Sequence, residues 1–212
     1  MRLSICIAPG HSLKNKDMEV LAKFYFGRKS RDNVEIIAVN NAYTKVPENI
    51  PCNVISCDYM WWSENYEEVR KRYPKRMITT SNIANSNYSD IIRFCPNSRK
   101  FNEANAACNM LNSGIMAVCF SVEILCSDVI VMIGYDGNAE NGRVHFHDDH
   151  KFPLINPGET QMEKWIKAMS VYYDQIWEEV MLFNCSPGNS YGTNSKEIDF
   201  GVVLNQWFEE LL

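Results

Sequence analysis

The run from Asn112 to Asp136 constrains the fold more than any other part of the chain. Ser113 and Gly114 open a helix expected to reach about Cys126, with Ser113 offering a side-chain acceptor and Gly114 letting a ligand approach the backbone. Ile115, Val118, Cys119, Val122 and Leu125 line one face, and Met116, Phe120 and Ile124 place apolar groups elsewhere on its circumference. Such a helix is expected to be sandwiched between layers rather than laid on a surface. Val129 to Ile133 then reads as a strand buried on both faces, as in a parallel sheet. It ends in Gly134-Tyr135-Asp136, at the carboxyl edge where open α/β sheets place their ligands. Just beyond lies His145-Phe146-His147-Asp148-Asp149-His150, with three of the four histidines. Helix start, buried strand and His/Asp loop together mark the expected site.

With 212 residues, the chain has the length of one domain with a substantial core. Its net charge of −5 argues against nucleic acid or an anionic membrane as a general partner. The basic runs Arg28-Lys29-Ser30-Arg31 and Arg70-Lys71-Arg72 read as solvated helix ends. The apolar run at the N-terminus is too short for a signal peptide and fits a first strand. No run of about 18 apolar residues occurs, so no membrane span is expected. Eight cysteines sit mostly in apolar segments and form no Cys-x-x-Cys pair, the usage of reduced thiols in a cytoplasmic protein.

Along the chain, strands are expected at Leu3 to Ala8, Val34 to Val39, Asn53 to Ser56, Met77 to Thr80, Ile91 to Cys95, Val129 to Ile133 and Val180 to Phe183. Helices are expected at Asp17 to Gly27, Glu64 to Tyr73, the central run, Glu159 to about Trp177, and Phe200 to Leu212. The terminal helix is expected to pack on the domain or on a second copy, which keeps a homo-oligomer open. Alternating strands and helices predict an α/β fold: a single Rossmann-like domain, mostly parallel, with helices on both faces of the sheet. The Asn- and Ser-rich stretch Ser81 to Asn112 reads as an excursion over the sheet edge.

Four strand ends carry polar or glycine-containing turns: Pro9 to Ser12, Asn40-Asn41, Asp58 and Asp136. In a parallel sheet these turns share one crevice, and neutral Asn, Ser and Gly beside a helix start suit phosphate and ribose. Cys57-Asp58-Tyr59-Met60-Trp61-Trp62 can stack on a base or sugar, or pin the following helix to the sheet. The stripe Met162, Trp165, Ile166, Met169 and Tyr173 reads as core. Neither Gly-x-Gly-x-x-Gly nor the P-loop pattern occurs, which argues against a dinucleotide oxidoreductase and a P-loop enzyme. The histidine cluster has three readings. His147 or His150 serves as a general base on an acceptor hydroxyl; His145 and His147, sharing a face if extended, bind a divalent metal with Asp148, Asp149 or Asp136; or the loop is polar surface.

Taken in order, Ile7 to Lys14, Val39 to Tyr43, Cys57 to Trp62, Asn112-Ser113-Gly114, Gly134-Tyr135-Asp136, His145 to His150 and Asn184 to Gly188 resemble the sialyltransferase-like Rossmann group. That group includes bacterial sialyltransferases, motility-associated-factor glycosyltransferases and hydroxymethylpterin pyrophosphokinases, and the chain is most similar to its bacteriophage members. The resemblance implies that Gly10 and Ser12 approach donor phosphates, that Asn40 contacts the nucleotide, that Ser113 and Gly114 face the donor, and that His150 is the base. Pro9 and His11 stand where the sialyltransferase loop has Asn and Pro, and the loop 137–142 shows no match for that family's tyrosine pair.

The expectation is a nucleotide-sugar-dependent glycosyltransferase in the cytoplasm (of a host cell, if phage-encoded). Its catalytic candidates are His150, His147 and Asp136, and its donor-binding candidates are Gly10, Ser12, Asn40, Asp58, Ser113 and Gly114. One alternative is a metal-dependent phosphoryl or pyrophosphoryl transferase or nucleotide hydrolase using His145, His147 and Asp149; another is a non-catalytic nucleotide-binding protein.

Overall fold

The computed structural model describes residues 1–72, 74–96, 112–137, 144–147, 157–186 and 199–209. Seven strands form one sheet: β1 (Leu3–Ile7), β2 (Val34–Val39), β3 (Asn53–Ile55), β4 (Arg76–Thr79), β5 (Ile91–Arg93), β6 (Val129–Ile133) and β7 (Met181–Asn184). All pairings are parallel, in the order β5-β4-β3-β2-β1-β6-β7. The fold is therefore α/β and Rossmann-like, with every strand parallel. From β1 the chain builds outward to β5, then crosses back to lay β6 against the other side of β1. The β1–β6 seam is thus a point of topological reversal, where adjacent loops leave in opposite directions and open a crevice.

Alternation along the strands sorts the core into two layers. Ile5 of β1, Ile36 of β2 and Val131 of β6 point to one face, where they meet α1 (Asn15–Gly27), α2 (Tyr59–Lys71), α3 (Asn82–Asn87) and α6 (Phe200–Glu209). Cys6, Ile37 and Met132 point to the other, under α4 (Ser113–Glu123) and α5 (Glu159–Ile176). The terminal helix α6 packs on the domain through Phe200, Val203 and Leu204. As its composition requires, α4 is enclosed: Ile115 through Ser121 are all buried. No helix among the described residues is long and apolar enough to cross a membrane.

Three element expectations are corrected. The helix expected from Glu64 begins at Tyr59, because Asp58 Oδ1 accepts the Met60 N–H at 2.7 Å and caps it five residues earlier. The Asn-rich stretch contains α3, whose cap is Ser81, with Oγ accepting the Ala84 N–H at 3.2 Å. The central helix stops at Glu123, short of Cys126, which takes a left-handed φ of 49° and turns the chain into β6.

Candidate functional site

A cavity of about 560 Å³ opens at the carboxyl ends of β1, β2, β3 and β6, within the range of small-molecule sites. Of the donor-binding candidates, Gly10, Asn40, Asp58, Ser113 and Gly114 line it, as does Asp136. Ser12 is not among the lining residues, but it is hydrogen-bonded to Asp136, which is.

The β1 turn is locked to the β6 turn. Asp136, 2% exposed, accepts the Ser12 N–H at 2.8 Å through Oδ2 and the Ser12 hydroxyl through Oδ1. His11 Nδ1 lies 3.0 Å from Asp136 Oδ2, in ion-pair range although off the line of a well-directed hydrogen bond. Gly10 N–H donates to Gly134 O at 3.0 Å. Gly10 and Ser12 therefore direct their amide N–H groups into the protein, and Asp136 organises the turn. Ser186 Oγ supports the arrangement from β7 by accepting the Tyr135 N–H at 2.7 Å.

The cap of α4 is Asn112 rather than Ser113. Asn112 Oδ1 accepts the Ile115 N–H at 2.8 Å, while Ser113 Oγ accepts the Cys57 N–H at 2.9 Å and ties the β3 turn to the helix start. Asparagine caps as well as serine does, and here the larger side chain reaches the amide three residues on. With the Met116 N–H donating to Asn112 O, helix geometry leaves the amides of Ser113 and Gly114 without an intrahelical acceptor, and neither has a partner among the described residues; both residues line the cavity. Fixing Oδ1 at the cap leaves Asn112 Nδ2 as a buried donor with no partner among the described residues. Asn40 Oδ1 at the end of β2 and Trp165 Nε1 on α5 are likewise buried and unpartnered. All three residues line the cavity. Asn40 also holds a left-handed φ of 46°, the strained backbone that clusters at ligand sites.

Trp61 and Trp62 are chiefly structural. They are 2% and 0% exposed, and their indole N–H groups donate to Asn41 Oδ1 and Ser56 O. Trp61 nonetheless contributes to the cavity wall. Cys57 also lines the cavity, and burial pushes its thiol up to about 11, which favours the protonated form at neutral pH. Every described cysteine is a free thiol.

Residues 144–147 cross the β1 turn: Gly10 and His145 form an antiparallel bridge, and the Phe146 N–H donates to Pro9 O at 3.0 Å. His145 lines the cavity, and its ring stacks on that of His147, with centroids 4.8 Å and planes 17° apart. The two do share a face, as an extended segment dictates. Among the described residues, no group of three or more His, Cys, Asp or Glu side chains is placed to hold a metal. His150, Asp148 and Asp149 lie outside the described residues.

Sequence reasoning passed over His11, Asn112 and Trp165 as site residues. For Asn112 a signal existed, since an asparagine three residues before Ile115 is itself a capping pattern. No local pattern announces the His11–Asp136 contact, which joins residues far apart in the chain. No protein-family model matches the chain, and no curated protein matches it.

Proposed function

We propose that the cavity binds a nucleotide-activated sugar and that the protein is a sialyltransferase-like glycosyltransferase. The carrying observation is a set of polar groups around the cavity that meet no partner among the described residues: Asn112 Nδ2 and Asn40 Oδ1, together with the first-turn amides of Ser113 and Gly114. Buried polar groups left without partners are costly, and a ligand with phosphate and hydroxyl groups satisfies them. Among the described lining residues there is no Lys or Arg, so backbone amides at the helix start supply the donors for the phosphate. Asn40 and Asp58, at the ends of β2 and β3, face the nucleoside.

In the transfer, an imidazole takes the proton of the acceptor hydroxyl as its oxygen attacks the anomeric carbon. The bond from that carbon to the donor phosphate breaks, and the phosphate leaves with the electron pair toward the α4 amides. The base comes from the 145–150 segment. His145 stands in the wall with His147 stacked on it, and His150 holds the position that the resemblance assigns to the base.

A panel of nucleotides and nucleotide sugars tests the reading by thermal shift. At about a hundred times its Kd, the donor is expected to raise Tm by roughly 5–10 °C for a chain of this size. With that donor, His145→Ala, His147→Ala and His150→Ala identify the base, whose loss lowers kcat by about 10²–10⁴. No response to any nucleotide overturns the reading. Binding without turnover, or turnover abolished by a chelator, replaces it with the binding protein or the metal-dependent transferase.

Asn112 permits a sharper test, because cap and donor are separable. Asn112→Ser keeps a capping oxygen and is expected to hold stability within about 0.5 kcal/mol, while nucleotide affinity falls about tenfold. Asn112→Ala loses affinity equally and costs about 1 kcal/mol more in denaturant unfolding. Equal affinity in Asn112→Ser and the native chain removes Nδ2 from the site.

A further inference from the structure

The α5 side of the cavity differs chemically from the α4 side. Met162 and Trp165, three residues apart on one helix face, present a thioether and an indole beside Pro157. Within this apolar wall one polar atom, Trp165 Nε1, is buried and meets no acceptor among the described residues. Trp61 and Trp62, also buried, both donate to oxygens within the protein, so the open donor on Trp165 is not a general feature of the chain's indoles. A wall of this kind fits a flat, apolar ring that carries an acceptor at its edge. The α4 part of the lining offers Asn112 Nδ2 and the amides of Ser113 and Gly114, which fit an anion. A ligand with those two unlike ends is a nucleotide.

We infer that α5 forms a base subsite in which Trp165 determines specificity. Its Nε1–H donates to an in-plane ring nitrogen or carbonyl oxygen of the base, and the Met162 side chain packs against the ring face. The inference deepens the nucleotide reading above and rests on it. A hexose also packs on indole and accepts hydrogen bonds; it lacks the extended flat face that Met162 and Pro157 complement, and the test separates the two.

The full-length chain is titrated with cytidine, uridine, adenosine and guanosine monophosphates, with ribose 5-phosphate, and with free monosaccharides. The native chain is expected to rank the four bases. Trp165→Phe keeps an aromatic ring and removes the N–H, so the preferred base loses about tenfold in affinity, the ranking flattens, and ribose 5-phosphate binds unchanged. The preferred nucleotide is expected to shift tryptophan fluorescence in the native chain and much less in Trp165→Phe, which keeps Trp61 in the cavity wall, while ribose 5-phosphate shifts neither. Met162→Ala, expected to weaken the preferred base and not ribose 5-phosphate, tests the same wall with the indole intact. An unchanged ranking in Trp165→Phe, or a fluorescence shift induced equally by ribose 5-phosphate, overturns the base subsite and leaves nucleotide binding intact. Lost monosaccharide binding with unchanged nucleotide ranking assigns the wall to the sugar instead. Failure of every nucleotide to bind the native chain overturns both readings.

Discussion

Asp136→Ala is expected to lower unfolding stability by roughly 3–5 kcal/mol, measured as the fall in urea midpoint at unchanged slope. Asp136 is 2% exposed and receives the Ser12 N–H and hydroxyl beside the His11 imidazole. Removing the carboxylate strands these groups in a buried seam, and each orphaned donor costs about 1–3 kcal/mol. Ser12→Ala deletes one donor and leaves the acceptor partly satisfied, so it is expected to cost only about 1 kcal/mol. The ratio between the two variants is the informative quantity. Equal, small losses would mean that the carboxylate is solvated and does not organise the turn.

Gly134→Ala is expected to destabilise by about 2–5 kcal/mol, combining a left-handed backbone with overpacking. Gly134 has φ 71°, and an added Cβ would lie 2.2 Å from Ala8 O. Gly10→Ala meets the same seam from the other side, its Cβ 2.2 Å from Gly134 O and 2.5 Å from Asp136 Oδ2. Backbone oxygens at the ends of paired strands cannot step aside as a flexible side chain can, so β1 and β6 must part. The double variant is expected to cost less than the sum of the singles by more than 0.5 kcal/mol, roughly, because both open one seam. Gly158→Ala is the control: a Cβ there meets nothing within 4 Å, and the change is expected to stay within about 1 kcal/mol. A Gly134→Ala variant as stable as the control would show that the seam accommodates a side chain.

The inner strands of this sheet are legible in the sequence because a strand covered on both faces is largely apolar. Val129–Ile133 and Val34–Val39 stand where their hydrophobic runs place them. The crevice was legible for the same reason: once strands are parallel, their polar ends must gather at one edge. What escaped depends on partners remote in the chain. Asp136 reads locally as the polar end of a strand, and its role emerges only across the 124 positions that separate it from Ser12. Trp165 belongs to a stripe with Met169 and Tyr173, and periodicity cannot tell that the stripe runs off the core into a cavity. The sequence places the start of α4 correctly but favours Ser113 as its cap over the adjacent Asn112, since both are capping residues, and it places the start of α2 five residues late because the cap at Asp58 goes unrecognised.

In the middle of the sheet, Leu3 is flanked by Val34 on one side and Val129 on the other. The neighbour at Val34 arises from nearby sequence, whereas the one at Val129 must await more than half of the polypeptide. Each bank of the crevice is thus built by a different portion of the chain, so ligand capture reports that the whole chain has come together, and a partly assembled molecule has no such grip to offer.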